Sequence, residues 1–231
     1  MRVGGFVRLS TVDWPGNLAA TVFTRGCPWD CPYCHNPHLL SGAASDSGGD
    51  TADTPSWPEI LEFLRTRTGL LDGIVFTGGE PTAQPGLADA MREVRELGFS
   101  VGLHSGGSLP ERFAEVLPLV DWVGFDVKAP FAQYERVTRV AGSGERALSS
   151  LRALVASGVA FEARTTVHPD LLSDADLEVI ADELEREGVR DWALQAYRAE
   201  GVRSGTLAPA APDLSAIAGR LRSRFATLSV R

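Results

Sequence analysis

The sequence has little cysteine: three residues in 231, all between positions 27 and 34. An odd, clustered set excludes a disulfide framework, which needs an even number spread along the chain. Clustered cysteines in a reducing compartment are ligands more often than bridges. No run approaches the ~18 apolar residues that span a bilayer. Residues 1–10 also lack the apolar run and small-residue cleavage site of a secretory signal. The expectation is a cytoplasmic protein with no membrane partner. Basic charge is short as well: 22 Lys and Arg stand against 30 Asp and Glu, a net charge of −8. A phosphate-binding surface needs clustered Lys and Arg, so nucleic acid is excluded as a partner. No internal repeat is visible. The composition is 44% hydrophobic and 23% charged, ordinary for a globular chain. At this length residues 1–231 read as one domain.

Six short apolar, β-branched runs read as strands: Ala19–Thr24, Gly73–Thr77, Phe99–His104, Trp122–Val127, Phe161–Val167 and, more weakly patterned, Trp192–Tyr197. Helical patterns lie between them. Ser56 with Glu59 forms a capping box before Trp57, Ile60, Leu61 and Leu64. Further helices carry Leu87, Met91 and Val94, then Leu148, Leu151 and Val155. Ser173 caps Leu177, Ile180, Ala181 and Leu184, and Asp213 caps Leu214, Ile217, Leu221 and Phe225. Strand and helix in alternation imply a parallel sheet covered by helices. The first strand runs into Gly26-Cys27-Pro28 rather than a glycine-rich phosphate turn, which disfavours an open doubly wound sheet. Glu162, Arg164, Thr166 and His168 alternate on one face of a strand. Such a face is costly in a core unless it lines a ligand cavity, so a partial barrel of about six βα units is expected. Residues 41–55, rich in Gly, Ser, Ala and Asp, read as a mobile loop. Arg220, Arg222 and Arg224 read as a solvated face.

Chemistry concentrates at Cys27-Pro28-Trp29-Asp30-Cys31-Pro32-Tyr33-Cys34-His35-Asn36. This short loop can wrap three thiolates around one small object. Tetrahedral zinc and four-iron clusters normally take four protein ligands, so three leave one metal position for a small molecule. A Cys3His zinc site with His35 is the competing reading, although adjacent Cys34 and His35 point poorly at one ion. Thr77-Gly78-Gly79-Glu80-Pro81 is a turn at a strand end, where barrel active sites lie and glycine lets backbone approach a ligand. Asp126 and Lys128 share a face at the end of another strand. His104-Ser105-Gly106-Gly107 ends a third, and His104 alone reads as a satisfied interior histidine.

The Cys-x3-Cys-x2-Cys spacing, with Tyr33 before the last cysteine, resembles the radical S-adenosylmethionine superfamily. The resemblance implies a partial (β/α)6 TIM-like barrel, an α/β fold. It implies one 4Fe–4S cluster on Cys27, Cys31 and Cys34 whose open iron holds S-adenosylmethionine, cleaved reductively to a 5′-deoxyadenosyl radical. By the same resemblance the backbone of Gly78, Gly79 and Glu80 meets the cofactor's amino group, and Lys128 of Asp126-Val127-Lys128 its carboxylate. Tyr33 and His35 belong to the cofactor-binding set, and Ser105 stands where relatives have a Thr-Asn-Gly element. Arg198 lies where some relatives have a ribose-binding histidine. Cys34-His35-Asn36-Pro37 and Val12-Asp13-Trp14-Pro15-Gly16 are similar to elements of glycyl-radical activating enzymes, especially those serving anaerobic ribonucleoside-triphosphate reductase. That implies a glycyl-radical enzyme as partner and flavodoxin or ferredoxin as electron donor; residues 41–55, from their place beside the cysteine motif, are expected to help gate the partner's glycine loop. The alternatives are a small-molecule enzyme resembling 7-carboxy-7-deazaguanine synthase and a non-catalytic zinc-binding protein.

Overall fold

Eight strands form one sheet in strictly sequential order in the computed structural model, which describes residues 1–40, 54–203, 205 and 207–231. They are β1 (Val3–Ser10), β2 (Ala19–Thr24), β3 (Gly73–Gly78), β4 (Ser100–Ser105), β5 (Trp122–Asp126), β6 (Ala160–Val167), β7 (Asp191–Ala196) and β8 (Thr227–Val230). β1 pairs antiparallel with β2, and every later pairing is parallel. β8 does not return to pair with β1, so the barrel is open. The six strands read from the sequence are the six central ones. β1 and β8 flank them and were not expected. Most of the 41–55 segment, residues 41–53, lies outside the described residues.

Parallel strands buried on both faces read as near-continuous apolar runs, and the period of two sorts their side chains between layers. Ala20, Val22, Ile74, Phe76, Val101, Leu103, Val123, Phe125, Trp192 and Leu194 join the large core under the helices. The alternate positions face inward. At the strands' N-terminal half, Trp14 stacks on Trp122 with ring centroids 5.7 Å apart, together with Ala19 and Val75. Gly102 makes room there: a Cβ would stand 3.0 Å from the Trp14 ring. Towards the C-terminal ends the inward positions turn polar, with Thr77, His104, Asp126, Arg164, Thr166 and Gln195 around cavities.

The helices are α1 (Trp57–Arg65), α2 (Leu87–Glu96), α3 (Pro110–Val116), α4 (Glu135–Thr138), α5 (Ser143–Ser157), α6 (Asp174–Arg186) and α7 (Ser215–Leu221). Ser56 N–H and Oγ both donate to Glu59, and Ser173 with Asp176 makes the reciprocal pair at α6. α3 and α4 were not anticipated. α5 buries Ala147, Ser150, Leu151 and Leu154, one step round from the expected Leu148-Leu151-Val155 stripe, because Ser150 donates to the Gly107 carbonyl beneath it. At α7 Asp213 accepts from Ser215 N–H, but Leu214 is the cap residue and Phe225 lies beyond the helix. Arg220 and Arg224 are not simply solvated: they bridge to Asp174, Glu178, Asp182 and Glu185, tying α7 to α6. No described helix is long and apolar enough to cross a membrane.

Candidate radical site at the open barrel mouth

The cysteine loop leaves β2 at Gly26, whose φ of 88° belongs to glycine. Several contacts then hold the loop in shape. Gly26 N–H donates to Leu39 O, Cys34 N–H to Cys31 O at 3.1 Å, and Asp30 N–H to Thr138 O. The Asp30 carboxylate meets Arg203 at 3.1 Å and Arg139 at 3.4 Å. The three cysteines, half-buried and in no disulfide, line one cavity of about 170 Å³ with Trp29, Tyr33, Gly78, Gly79, Glu80, Ser105 and Lys128.

Burial, with the Glu80 charge next, pushes the Cys27 thiol up to about 12. Burial pushes Cys31 up to about 11, against the pull of Lys128, and raises Cys34 too. Thiols held neutral in this way must be deprotonated by a metal that occupies the site. Among the described residues no group of His, Cys, Asp and Glu is arranged around a single ion. His35 Nε2 is hydrogen-bonded to the Arg198 carbonyl at 3.0 Å, which leaves Nδ1 as the only ring nitrogen a metal could meet. Three thiols lining a common recess fit a cluster, in which each thiolate meets its own iron.

Gly78 and Gly79 end β3 under the cysteine loop. Gly78 has φ 109°. A Cβ on Gly79 would overlap the Gly26 carbonyl. Gly79 N–H donates to Thr24 O at 2.9 Å and Glu80 N–H to Gly26 O at 2.8 Å. Those N–H groups are spent, so what the turn offers a ligand is carbonyl oxygen, which suits an ammonium. The Glu80 carboxylate is buried, at 2% exposure. Its Oε1 accepts from Thr82 N–H, Thr82 Oγ1 and Ser105 Oγ, and its Oε2 from Gly106 N–H. Burial raises its pKa and those bonds oppose the rise. Glu80 therefore works by bracing two loops. Ser105 Oγ is shared between Glu80 and Gly107 N–H at 3.0 Å.

Lys128, the single lysine of the sequence, follows β5. Its Nζ lies 3.4 Å from Asp126 Oδ2 and 5.7 Å from the Tyr33 ring centroid. Burial opposes its charge, yet Tyr33, Asp126 and Cys31 raise its pKa well above the ordinary lysine value. Tyr134 closes this corner: its hydroxyl donates to Asp126 O at 3.1 Å and accepts from Lys128 N–H at 3.0 Å. A buried charged lysine facing a recess is an anion holder.

The expected site residues Cys27, Cys31, Cys34, Tyr33, His35, Gly78, Gly79, Glu80, Ser105, Asp126 and Lys128 all line this first cavity. A second cavity of about 550 Å³ adjoins it and shares His35, Asn36, Thr77, His104, Asp126 and Thr166 with it. His104 is the interior histidine expected, with Nε2 2.7 Å from Asp13 O; burial, then Arg164, lowers its pKa, so it is neutral. His168 departs from the expected cavity face. It is buried, bonded to Ala208 O at 2.9 Å and packed on Tyr197, because β6 ends at Val167 and the chain turns away. Glu162 is engaged by both terminal nitrogens of Arg231. Trp29, Asn36, Thr77 and Tyr134 were not singled out. Trp29 and Asn36 had a signal in their place inside the cysteine motif; Tyr134, six residues beyond Lys128, had none.

An open, mostly parallel barrel with three cysteines and a buried lysine at its C-terminal mouth defines an α/β enzyme whose site can hold a metal group and an anionic ligand side by side. The chain belongs to the radical SAM superfamily, whose pattern matches residues 21–189. It is 33% identical over 189 residues to a Methanocaldococcus jannaschii protein named as a glycyl-radical enzyme activating enzyme, covering 78% of this chain and 73% of that one. It is 31% identical over 161 residues to 7-carboxy-7-deazaguanine synthase of Thermococcus kodakarensis, covering 63% of each. In fold it is similar to Streptococcus suis SuiB bound to S-adenosylmethionine, with a TM-score of 0.65 at 14% identity over 90% of this chain and 48% of that one. It is thus a radical SAM oxidoreductase. That family implies S-adenosylmethionine and an iron–sulfur cluster, and the donor set above fits both.

Proposed function

We propose that this chain activates a glycyl-radical enzyme, abstracting a hydrogen atom from one glycine of the partner, which is anaerobic ribonucleoside-triphosphate reductase in the cytoplasm. The observation that carries the reading is the 33% identity to a protein named for that activity over 78% of the chain. The Cys34-His35-Asn36-Pro37 and Val12-Asp13-Trp14-Pro15-Gly16 elements support it. The bound group, a 4Fe–4S cluster with S-adenosylmethionine, supplies a 5′-deoxyadenosyl radical when reduced by flavodoxin or ferredoxin. Cys27, Cys31 and Cys34 hold the cluster. The Gly78–Gly79 turn presents carbonyl oxygen to the co-substrate's ammonium and Lys128 pairs with its carboxylate. Asp126 and Tyr134 orient Lys128, Glu80 and Ser105 keep the glycine turn in place, and Tyr33 and His35 shield the site.

The test mixes reduced, reconstituted protein with S-adenosylmethionine and the reductase under anaerobic conditions. A glycine-centred doublet in electron paramagnetic resonance is expected. Methionine and 5′-deoxyadenosine without the doublet would discard this partner. The 31% identity to a 7-carboxy-7-deazaguanine synthase supports a second reading, a small-molecule radical enzyme. Formation of 7-carboxy-7-deazaguanine from a small-molecule substrate, with no doublet on any protein glycine, would favour it.

A further inference from the structure

The second cavity holds chemistry that the cofactor site does not use. Arg164, on the inner face of β6, is only 7% exposed, and its guanidinium has no complete set of partners. Nε makes no hydrogen bond among the described residues. It faces Asp126 Oδ1 at 3.7 Å, within ion-pair range but beyond a hydrogen bond. Nη1 lies 3.3 Å from His104 Nε2. That nitrogen is also 2.7 Å from the Asp13 carbonyl, which can only accept, so it carries its proton toward Asp13 and offers Arg164 nothing. The placement is built in by the neighbouring strand. Gly124 of β5 leaves the space the guanidinium occupies, and a Cβ there would overlap it. Trp122 supports it from below, with the ring centroid 5.7 Å from Cζ. An under-bonded buried guanidinium is costly, and a ligand acceptor would relieve that cost.

Sheet register adds two more groups. Thr166 of β6 and Gln195 of β7 are register partners. Both line this cavity, and neither side chain makes a hydrogen bond among the described residues. Each can both donate and accept. Charge selects the ligand. Arg231 is paired with Glu162, Arg164 shares Asp126 with Lys128, and Arg198 on the lining is exposed, so beyond Arg164 the inner lining is Thr166 and Gln195, whose donors and acceptors a free carboxylate, an acceptor only, cannot both answer. A neutral amide suits it better: its C=O answers Arg164, and its C=O and N–H answer Thr166 and Gln195.

We propose that Arg164, Thr166 and Gln195 form a subsite that seats the peptide backbone beside the reacting glycine. This rests on the reading that the substrate is a glycine within a protein chain, and it names the residues that select a peptide over a small acid.

The probe is a capped glycine-centred pentapeptide, dideuterated at the glycine α-carbon, given to the reduced holoenzyme with S-adenosylmethionine. Two quantities are measured: the peptide's dissociation constant by calorimetry, and deuterium recovered in 5′-deoxyadenosine per S-adenosylmethionine cleaved. Arg164→Lys, which removes the planar fork, is expected to weaken binding and lower the ratio at least ten-fold. Thr166→Val and Gln195→Leu, which leave Arg164 in place and serve if Arg164→Lys folds poorly, are each expected to do so several-fold. Sodium acetate is expected not to displace the peptide. Wild-type transfer with unchanged binding and ratio in all three variants would overturn the subsite while leaving glycyl activation standing. Displacement by acetate would overturn it in favour of a plain anion site. No deuterium transfer from the peptide, together with no doublet from any candidate glycyl-radical enzyme, would overturn both readings.

Discussion

Glu80, at the end of β3, accepts a hydrogen bond from the backbone N–H of Gly106 beyond β4, 3.1 Å away inside the protein. With Thr82 and Ser105 on its other oxygen, the carboxylate meets four donors and joins two loops of the site. Glu80→Gln turns an amide NH2 toward one of those donors. A buried donor left without an acceptor costs about 1–3 kcal/mol. The variant is expected to lose that much in urea unfolding and to bind S-adenosylmethionine at least five-fold more weakly. Equal midpoints would remove the bracing role.

Lys128 is the only lysine, and it sits between Asp126 and Tyr33. Lys128→Met keeps the stem and removes the charge. Its expected effect is at least a ten-fold rise in the S-adenosylmethionine dissociation constant, with iron content unchanged. Arginine is not expected to restore full affinity, because its planar fork replaces the compact point charge that Lys128 presents beside Asp126. Calorimetry with S-adenosylmethionine on reconstituted protein decides both points.

Alkali should weaken the metal-free protein in particular. Cys27 and Cys31 are pushed up to about 12 and about 11, chiefly by burial, whereas an unfolded cysteine ionises near ~8.5. The folded state therefore keeps protons that the unfolded state releases. The stability these thiols contribute is complete below about pH 8.5 and falls as pH rises toward their folded values, by up to about 1.4 kcal/mol per pH unit for each thiol. Urea midpoints of chelator-treated protein at pH 7.5 and 10 should separate, and a Cys27→Ala/Cys31→Ala variant should show a shallower slope.

Acid tests the opposite end through Asp176. Burial acts to raise this carboxyl, but Ser173 and Arg136 outweigh it and hold its pKa below the usual value. Its contribution is complete above the unfolded value near ~3.9 and is lost as pH falls through its lower folded value. Ser173→Ala removes the reciprocal cap and is expected to cost about 1 kcal/mol at pH 7, measured by thermal unfolding. Asp176→Asn should flatten the acid limb below about pH 4.

Much of this arrangement was legible in the chain. The six central strands are apolar and β-branched because they are buried on both faces, and the spacing of Cys27, Cys31 and Cys34 carries its chemistry openly. β1 escaped notice because Gly4, Gly5 and the exposed Val7 and Leu9 break any alternation. β8 is four residues long and half exposed. The shifted face of α5 follows from a serine, Ser150, buried by a tertiary hydrogen bond, which no hydrophobic period reveals. Tyr134 and the Arg164–Gly124 fit depend on neighbours across the sheet. A linear reading sees Arg164 as a polar residue on a strand, not as a group whose partners are incomplete.

The two outer strands stay apart, and the larger cavity reaches both margins of that seam, at Val12 and Asp13 after β1 and at Arg231 after β8. A closed cylinder would admit a substrate only end-on, and only one small enough to pass the rim. With the wall unclosed, the cavity has a second approach along the margin between β1 and β8, one that the width of the rim does not limit. Val12, 78% exposed, lines the cavity at that margin and gives the approach an apolar edge.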